Sequence, residues 1–307
     1  CKSAGCPNCS GVCNNWSKDN TQLADRTFNM LELYFNDKPI FDIKLNDLMD
    51  FRDTMQEIPT KLTTYKEFEN KSLDYILENS EDYDNLTNST INKYINKANQ
   101  FLKWAYQEDY LHKKDFIIPK FPNDTKSRLP YANEEIQAIK ELVSKDENIE
   151  INFITLVATY QGMRLKEITQ LRKEDIITIN NISCISINTN EDKTTKTIKS
   201  IRTIPIHPKL IELGFLDFVK SKENNLFNIN NKDFSSYYRK NYKNLINPSK
   251  TFYSLRHSFI DALKQSDQNI EHIQAFVGHS HNAKTTFGYG SPLNTKLLKG
   301  LLEHINY

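Results

Sequence analysis

Residues 119–130, PKFPNDTKSRLP, carry three prolines in twelve positions and no periodic apolar pattern. Proline lacks a backbone donor and clashes with the preceding helical turn, so neither a helix nor an inner strand runs through such a stretch. The segment reads as a linker and divides the 307 residues into two regions of different character. That length suits about two domains.

Residues 17–118 read as helices. In FDIKLNDLMDFRDTMQEI, Ile43, Leu48, Phe51 and Met55 recur at three- to five-residue spacing before Pro59. TKLTTYKEFENKSLDYILE repeats the pattern. The strongest stripe is in STINKYINKANQFLKWAYQEDYL, where Ile91, Ile95, Ala98, Leu102, Ala105 and Tyr106 share one face, with Ser89 or Thr90 as the expected N-cap. Beyond the linker, residues 131–307 form a second domain. Asn133 is the expected cap of its first helix, and Gly162 breaks the next one. IITI, ISCISI and IRTIPI read as strands, the first two joined at Asn180-Asn181 by a tight turn. Helices return at 208–220, 233–246, 253–265, 269–277 and 293–305. The expected fold class is mainly α with a small antiparallel β-sheet, a helical domain followed by an α+β domain.

No run approaches the ~20 apolar residues that span a bilayer, and mean hydropathy is −0.63. The start has no signal-peptide pattern, so a cytoplasmic protein is expected. A chain beginning at Cys1 without methionine reads as a fragment or a processed form. Four of its five cysteines, Cys1, Cys6, Cys9 and Cys13, crowd into residues 1–16. The Cys6–Cys9 spacing suits a zinc knuckle, and the alternative is a flank with no ligand. Cys184, in a strand-like run, reads as a small buried side chain. Net charge is only +1, yet residues 181–260 hold 13 Lys and Arg against 6 Asp and Glu. A basic half beside an acidic remainder is the footprint of a DNA-binding protein; a solvated lysine-rich surface gives the same count.

Four polar features interrupt the apolar pattern. They are GMRLKEI, with Arg164 and Glu167; the loop NTNEDKTTKTIKS, with Lys193 and Lys196; TFYSLRHSFI, with Tyr253, Arg256 and His257; and VGHSHNAKTTFGYG, with His279, His281 and Tyr289. Singly each has a plain explanation: a surface ion pair worth a few tenths of a kcal/mol, loop lysines, a capping histidine. Arg256 resists one, because arginine is almost never buried unless paired and its neighbours Leu255, Phe259 and Leu263 form an apolar stripe.

In this order over about 125 residues, the set Arg164, Lys196, Arg256-His257, His279, Tyr289 resembles the tyrosine recombinases, the phage-integrase family. The carrying motifs are Gly162-Met163-Arg164 with Glu167, KTIKSIRTIPIH, YSLRHSF, VGHS and TTFGYG. Residues 86–111 look like that family's core DNA-binding domain, so the resemblance spans roughly 17–305. It implies a helical core-binding domain and a recombinase catalytic domain acting as a homo-tetramer on double-stranded DNA. No cofactor, metal or ATP is implied, apart from the zinc reading of the cysteines. Accessory DNA-bending proteins and a nucleoid location belong to the same expectation.

By this resemblance Tyr289 is the nucleophile that forms a 3′-phosphotyrosine. Arg164 and Arg256 clamp the phosphate, Glu167 orients Arg164, Lys196 is the general acid with Lys193 as the alternative, and His279 contacts the phosphate. Lys193, Lys199 and Arg202 are expected on DNA, and His257 in a supporting hydrogen bond. One position departs from the family: histidine usually stands three residues before the second arginine, and here it is Tyr253. With a reference pKa of about 10, Tyr253 suits positioning rather than proton abstraction. Glycines flank Tyr289, leaving its segment loosely held. The last apolar face, Leu293 to Ile305, packs on its own domain or docks on a neighbouring protomer, and the resemblance favours docking. Two alternatives stay open: a catalytically silent DNA-binding relative and a type IB topoisomerase-like enzyme.

Overall fold

A computed structural model describes residues 18–111, 116–123, 129–195, 200–279 and 294–307. The chain forms two compact units, Cys1–Lys126 and Ser127–Tyr307. Their boundary falls inside the proline-bearing stretch.

The first unit contains α1 (Lys18–Phe35), α2 (Leu45–Thr54), α3 (Leu73–Glu78) and α4 (Asn88–Gln107). Ile91, Ile95, Ala98, Leu102 and Ala105 of α4 are buried against Leu48, Phe51 and Met55. Tyr106 leaves the expected stripe and is 36% exposed, because a step of one residue turns a side chain about 100° around a helix. The cap of α4 is Thr87, whose side chain accepts the Thr90 N–H, two residues before Ser89 and three before Thr90, the expected caps. Residues 60–78 are not one helix. They make 3₁₀ turns at Leu62–Thr64 and Lys66–Phe68 before α3. Lys61 and Asn70 adopt left-handed backbone, each with φ of 58°, which ends regular winding at both places.

The expected linker at 119–130 is partly bound structure. Asn99 accepts the Ile118 N–H at 2.9 Å and donates to the Ile118 carbonyl at 3.0 Å. Asn92 does the same with Phe121, both at 3.0 Å, and Asn88 donates to the Pro122 carbonyl. Spacings of four and seven residues put these asparagines on one face of α4, where they give an extended segment the hydrogen bonds a neighbouring strand would supply. Phe121 also lies under the Arg52 guanidinium, 4.8 Å from it.

The second unit opens with α5 (Asn133–Ser144), α6 (Ile149–Gln161) and α7 (Leu165–Thr169). Ala132, not Asn133, holds the N-cap position of α5, and its N–H donates to Glu135. Helix α6 is buried on nearly every side, as a helix apolar all round must be, and packs between α5 and α12 (Tyr253–Gln265). Strands β1 (Ile176–Ile179), β2 (Ile182–Ile187) and β3 (Arg202–Pro205) form one antiparallel sheet in the order β1-β2-β3. The β1–β2 turn places Asn180 and Asn181 at φ of 49° and 63°, the two positive values a type I′ hairpin requires. Cys184 in β2 is fully buried, and burial pushes its thiol pKa up.

After β3, Gly214 (φ 85°) splits the expected 208–220 helix into α8 (Pro208–Glu212) and α9 (Phe215–Lys220). Helix α10 (Asn231–Tyr238) continues through a π turn at Arg239–Lys243 into α11 (Asn244–Ile246). The last helices are α12, α13 (Ile270–Val277) and α14 (Thr295–Leu302). Leu298, Leu301, Leu302 and Ile305 are buried in this unit's own core, with α14 against β3 and α13. Of the two expectations for this face, the single chain shows packing on its own domain, with Leu297 left 46% exposed.

Candidate active site

Gly162 ends α6 in left-handed backbone, φ 56°. A Cβ there would also lie 2.5 Å from the Phe259 ring, so both conformation and space require glycine. The turn it makes brings Arg164 to the N-cap of α7. One turn later Glu167 reaches back, accepting the Arg164 N–H at 3.1 Å and its guanidinium at 2.7 Å.

Glu167 is buried and serves two arginines. Arg202 of β3 donates to both its oxygens, at 3.0 and 3.3 Å. Burial alone would raise the Glu167 pKa, but the Arg202 and Arg164 guanidiniums outweigh it, and the carboxyl sits below its usual value. Arg202 thus lies inside the protein with a side chain 7% exposed, instead of on a DNA-facing surface as expected. A signal for this existed: Arg202 shares a strand face with the fully buried Ile204.

The third arginine, Arg256, is 1% exposed. Its terminal nitrogens donate to the Gly162 and Val277 carbonyls, both at 2.6 Å. Its Nε has no partner among the described residues. Burial, then the nearby Arg164 charge, pushes its pKa down to about 10, which leaves it cationic at neutral pH.

The C-terminus of α13 ties the three together. Helix ends leave carbonyls without intrahelical partners, and here three successive ones are each taken by a different arginine. Phe276 accepts from Arg202 at 2.6 Å, Val277 from Arg256 at 2.6 Å, and Gly278 from Arg164 at 3.0 Å. Gly278 has φ 68°, and a Cβ there would meet the Arg202 guanidinium at 2.7 Å. Nothing in the spacing of the sequence motifs pointed to this row of carbonyls. Three cations against one carboxylate leave an excess of positive charge held by fixed dipoles, a setting suited to an anion.

His279 follows directly. The residue is exposed, yet partial desolvation and then the charges of Arg256, Arg164 and Arg202 push its pKa down to about 4. It is neutral at physiological pH and can donate one hydrogen bond and accept another. Tyr253 is half-buried at the start of α12, and the His257 ring meets its ring edge-on at 5.0 Å.

Lys193 is not a surface lysine. It is 6% exposed, and its ammonium donates to Asp175 at 2.7 Å. That removes it both from DNA contact and from the alternative acid role, because a buried ammonium in a close ion pair has no free path to a substrate. Lys196, Lys199, His281, Tyr289 and the four N-terminal cysteines lie outside the described residues. Among the described residues no group of His, Cys, Asp and Glu is placed to hold a metal ion. No described helix is long and apolar enough to cross a membrane.

Residues 131–292, more than half of the chain, match the phage integrase family. The chain belongs to the phage integrase family. No curated protein sequence matches this family member. Solved structures do share its fold. A DNA complex of the Tn1549 transposon integrase aligns with TM-score 0.67 and 17% identity over 90% of this chain and 92% of that one. A lambda integrase dimer bound to a COC′ core site aligns with TM-score 0.60 and 13% identity over 88% of each chain. The XerH site-specific recombinase bound to difH aligns with TM-score 0.53 and 18% identity over 85% of this chain and 72% of that one. The mainly helical architecture with its small antiparallel sheet is that of the tyrosine recombinases.

Proposed function

We propose that this chain is a site-specific DNA recombinase that cuts and rejoins duplex DNA through a covalent 3′-phosphotyrosine at Tyr289, in the integration or excision of a mobile element. The observation that carries the reading is the arginine row on the α13 C-terminus. Arg164 and Arg256 converge there with rigid backing, and Glu167 and Arg202 brace Arg164 from behind. Each terminal guanidinium nitrogen bears two hydrogens and each protein acceptor uses one, so donors remain for the non-bridging oxygens of a phosphodiester.

In this mechanism the Tyr289 oxygen attacks phosphorus and gives up its proton. The bond from phosphorus to the 5′-oxygen breaks with its electron pair on that oxygen, which takes a proton from Lys196. The arginines stabilise the charge that builds on the phosphoryl oxygens. His279, neutral in the free protein, holds a phosphate oxygen or receives the tyrosine proton, and Tyr253, fixed against His257, positions the phosphate. Each step is supplied by side chains, with no call on a metal ion or ATP. The Tn1549, lambda and XerH proteins were each solved on DNA, which supports DNA as the substrate, and the lambda protein as a dimer, which supports assembly of more than one protomer on a site.

The test is covalent trapping from a pool of randomised nicked duplexes in EDTA. A protein–DNA adduct that disappears in Tyr289→Phe is the expected result. Binding without any adduct would favour a silent DNA-binding relative, and an adduct that relaxes supercoils without exchanging strands would favour a topoisomerase.

A further inference from the structure

We propose that Gln170, together with the buried Asp175–Lys193 pair, is a positioning clasp that holds residues 188–194, the part of the β2–β3 turn that leads into Lys196. The proposal rests on the reading of Lys196 as general acid.

The turn joining β2 to β3 runs from Asn188 to Ile201, long and polar enough to wander. Its first half does not. Asn188 and Lys193 both donate to Asp175 Oδ1 at 2.7 Å, and the Arg172 N–H takes the other Asp175 oxygen at 2.8 Å. The Arg172 guanidinium pairs with Glu191 and Asp192. Gln170 then closes the set: its amide donates to the Thr194 carbonyl at 3.0 Å and accepts the Thr194 N–H at 3.1 Å. One side-chain amide thus satisfies both backbone groups of one loop residue, as a neighbouring strand would.

Placement gives these contacts meaning. Residues 170–175 follow α7, whose first turn carries Arg164 and Glu167. On the far side of the turn, the Ser200 carbonyl accepts from Arg202 at 2.8 Å, and Arg202 is locked to Glu167. Thr194 is therefore held by Gln170, five residues after α7 begins, and Ser200 by the arginine that is locked to Glu167. A proton donor must come within hydrogen-bond reach of the leaving oxygen, and holding Thr194, two residues before Lys196, is how the clasp would act on it.

A buried lysine is a costly way to hold a loop. Desolvation of the ion pair offsets most of its attraction, and an apolar contact would stabilise as well. What the paired charges add is a defined partner: Lys193 and Asn188 share one Asp175 oxygen, each at 2.7 Å. Positioning, more than stability, accounts for such a choice.

The test separates proton delivery from folding. The duplex trapped above is made with its ordinary 5′-bridging oxygen and with sulfur in that place. A thiolate leaves without a proton donor, because a thiol's pKa of about 8.5 lies far below that of an alcohol. Full-length Gln170→Ala and the double variant Asp175→Asn/Lys193→Met are compared with the unaltered chain. Adduct formation on the oxygen duplex should slow on the order of tenfold to a hundredfold, with the sulfur duplex cleaved at the normal rate. Equal loss on both duplexes, or loss on neither, overturns the clasp. If the double variant fails to fold, Gln170→Ala carries the test, since it removes only two hydrogen bonds from a half-buried side chain. Lys196→Ala guards the underlying reading: it must show the same oxygen-only defect. If it instead slows both duplexes equally, the acid assignment fails, and the proposal with it.

Discussion

At the scale of single residues, His279 is the group whose chemistry depends most on its surroundings. Its pKa of about 4 reflects partial desolvation and three arginines, the same arginines read here as the phosphate clamp. A phosphodiester bound among them brings negative charge, which favours the imidazolium. The His279 imidazole, followed by NMR in Tyr289→Phe, should titrate near pH 4 in the free protein and distinctly higher with duplex DNA bound. An unchanged midpoint would remove His279 from the phosphate. The sign for stability is also fixed. The unfolded chain takes this proton near pH 6.5 and the folded protein near 4, so this residue's contribution falls as pH drops through that window. Motif spacing singled out Arg164, Glu167, Arg256 and His279, which the fold brings together, because polar residues stand out against apolar neighbours. It misplaced Arg202 and Lys193, because a cation in a polar loop or beside a strand looks the same whether it faces water or a carboxylate distant in sequence. Only the fold brings Glu167 to the one and Asp175 to the other.

Among the elements, the asparagine face of α4 shows how side chains can set the effective length of a linker. Asn92 and Asn99 each complete two hydrogen bonds to the backbone of residues 118 and 121. At about 1 kcal/mol for each bond, the set is strong enough to keep the segment bound and weak enough to be removed without unfolding the unit. In Asn92→Ala/Asn99→Ala, trypsin should cut after Lys120 at least several times faster, read by mass spectrometry, with the melting temperature of the first unit lowered by only a few degrees. Cleavage at the original rate would mean that Ile118 and Phe121 hold the strap by burial alone. The helices with unbroken apolar stripes, α2, α4, α6 and α12, were legible in the sequence, as was the Asn180-Asn181 hairpin. Residues 60–78 were not, since their apolar spacing is helical while Lys61 and Asn70 turn left-handed, and apolar periodicity does not register positive φ. The strap escaped notice for a related reason. Asparagines on a helix read as solvated until a chain segment is laid along them.

On the scale of the whole molecule, the two units have separate cores, one around Phe51 and Ile95 and the other around α6. A unit with its own core unfolds as its own cooperative transition unless its interface with the other is large and apolar. The excess of basic residues in 181–260 belongs entirely to the second unit, so the arginine row and this basic excess share one folding unit. Calorimetry of the full chain should therefore resolve two transitions, and residues 127–307 alone should reproduce one of them. Adding duplex DNA should raise that transition in both proteins, since a ligand that binds only the folded state stabilises it by mass action, and the rise should shrink with added salt as fewer counterions are released. A single transition, with matching calorimetric and van't Hoff enthalpies, would mean that the cores unfold as one and that the proline-bearing stretch separates them in sequence but not in energy.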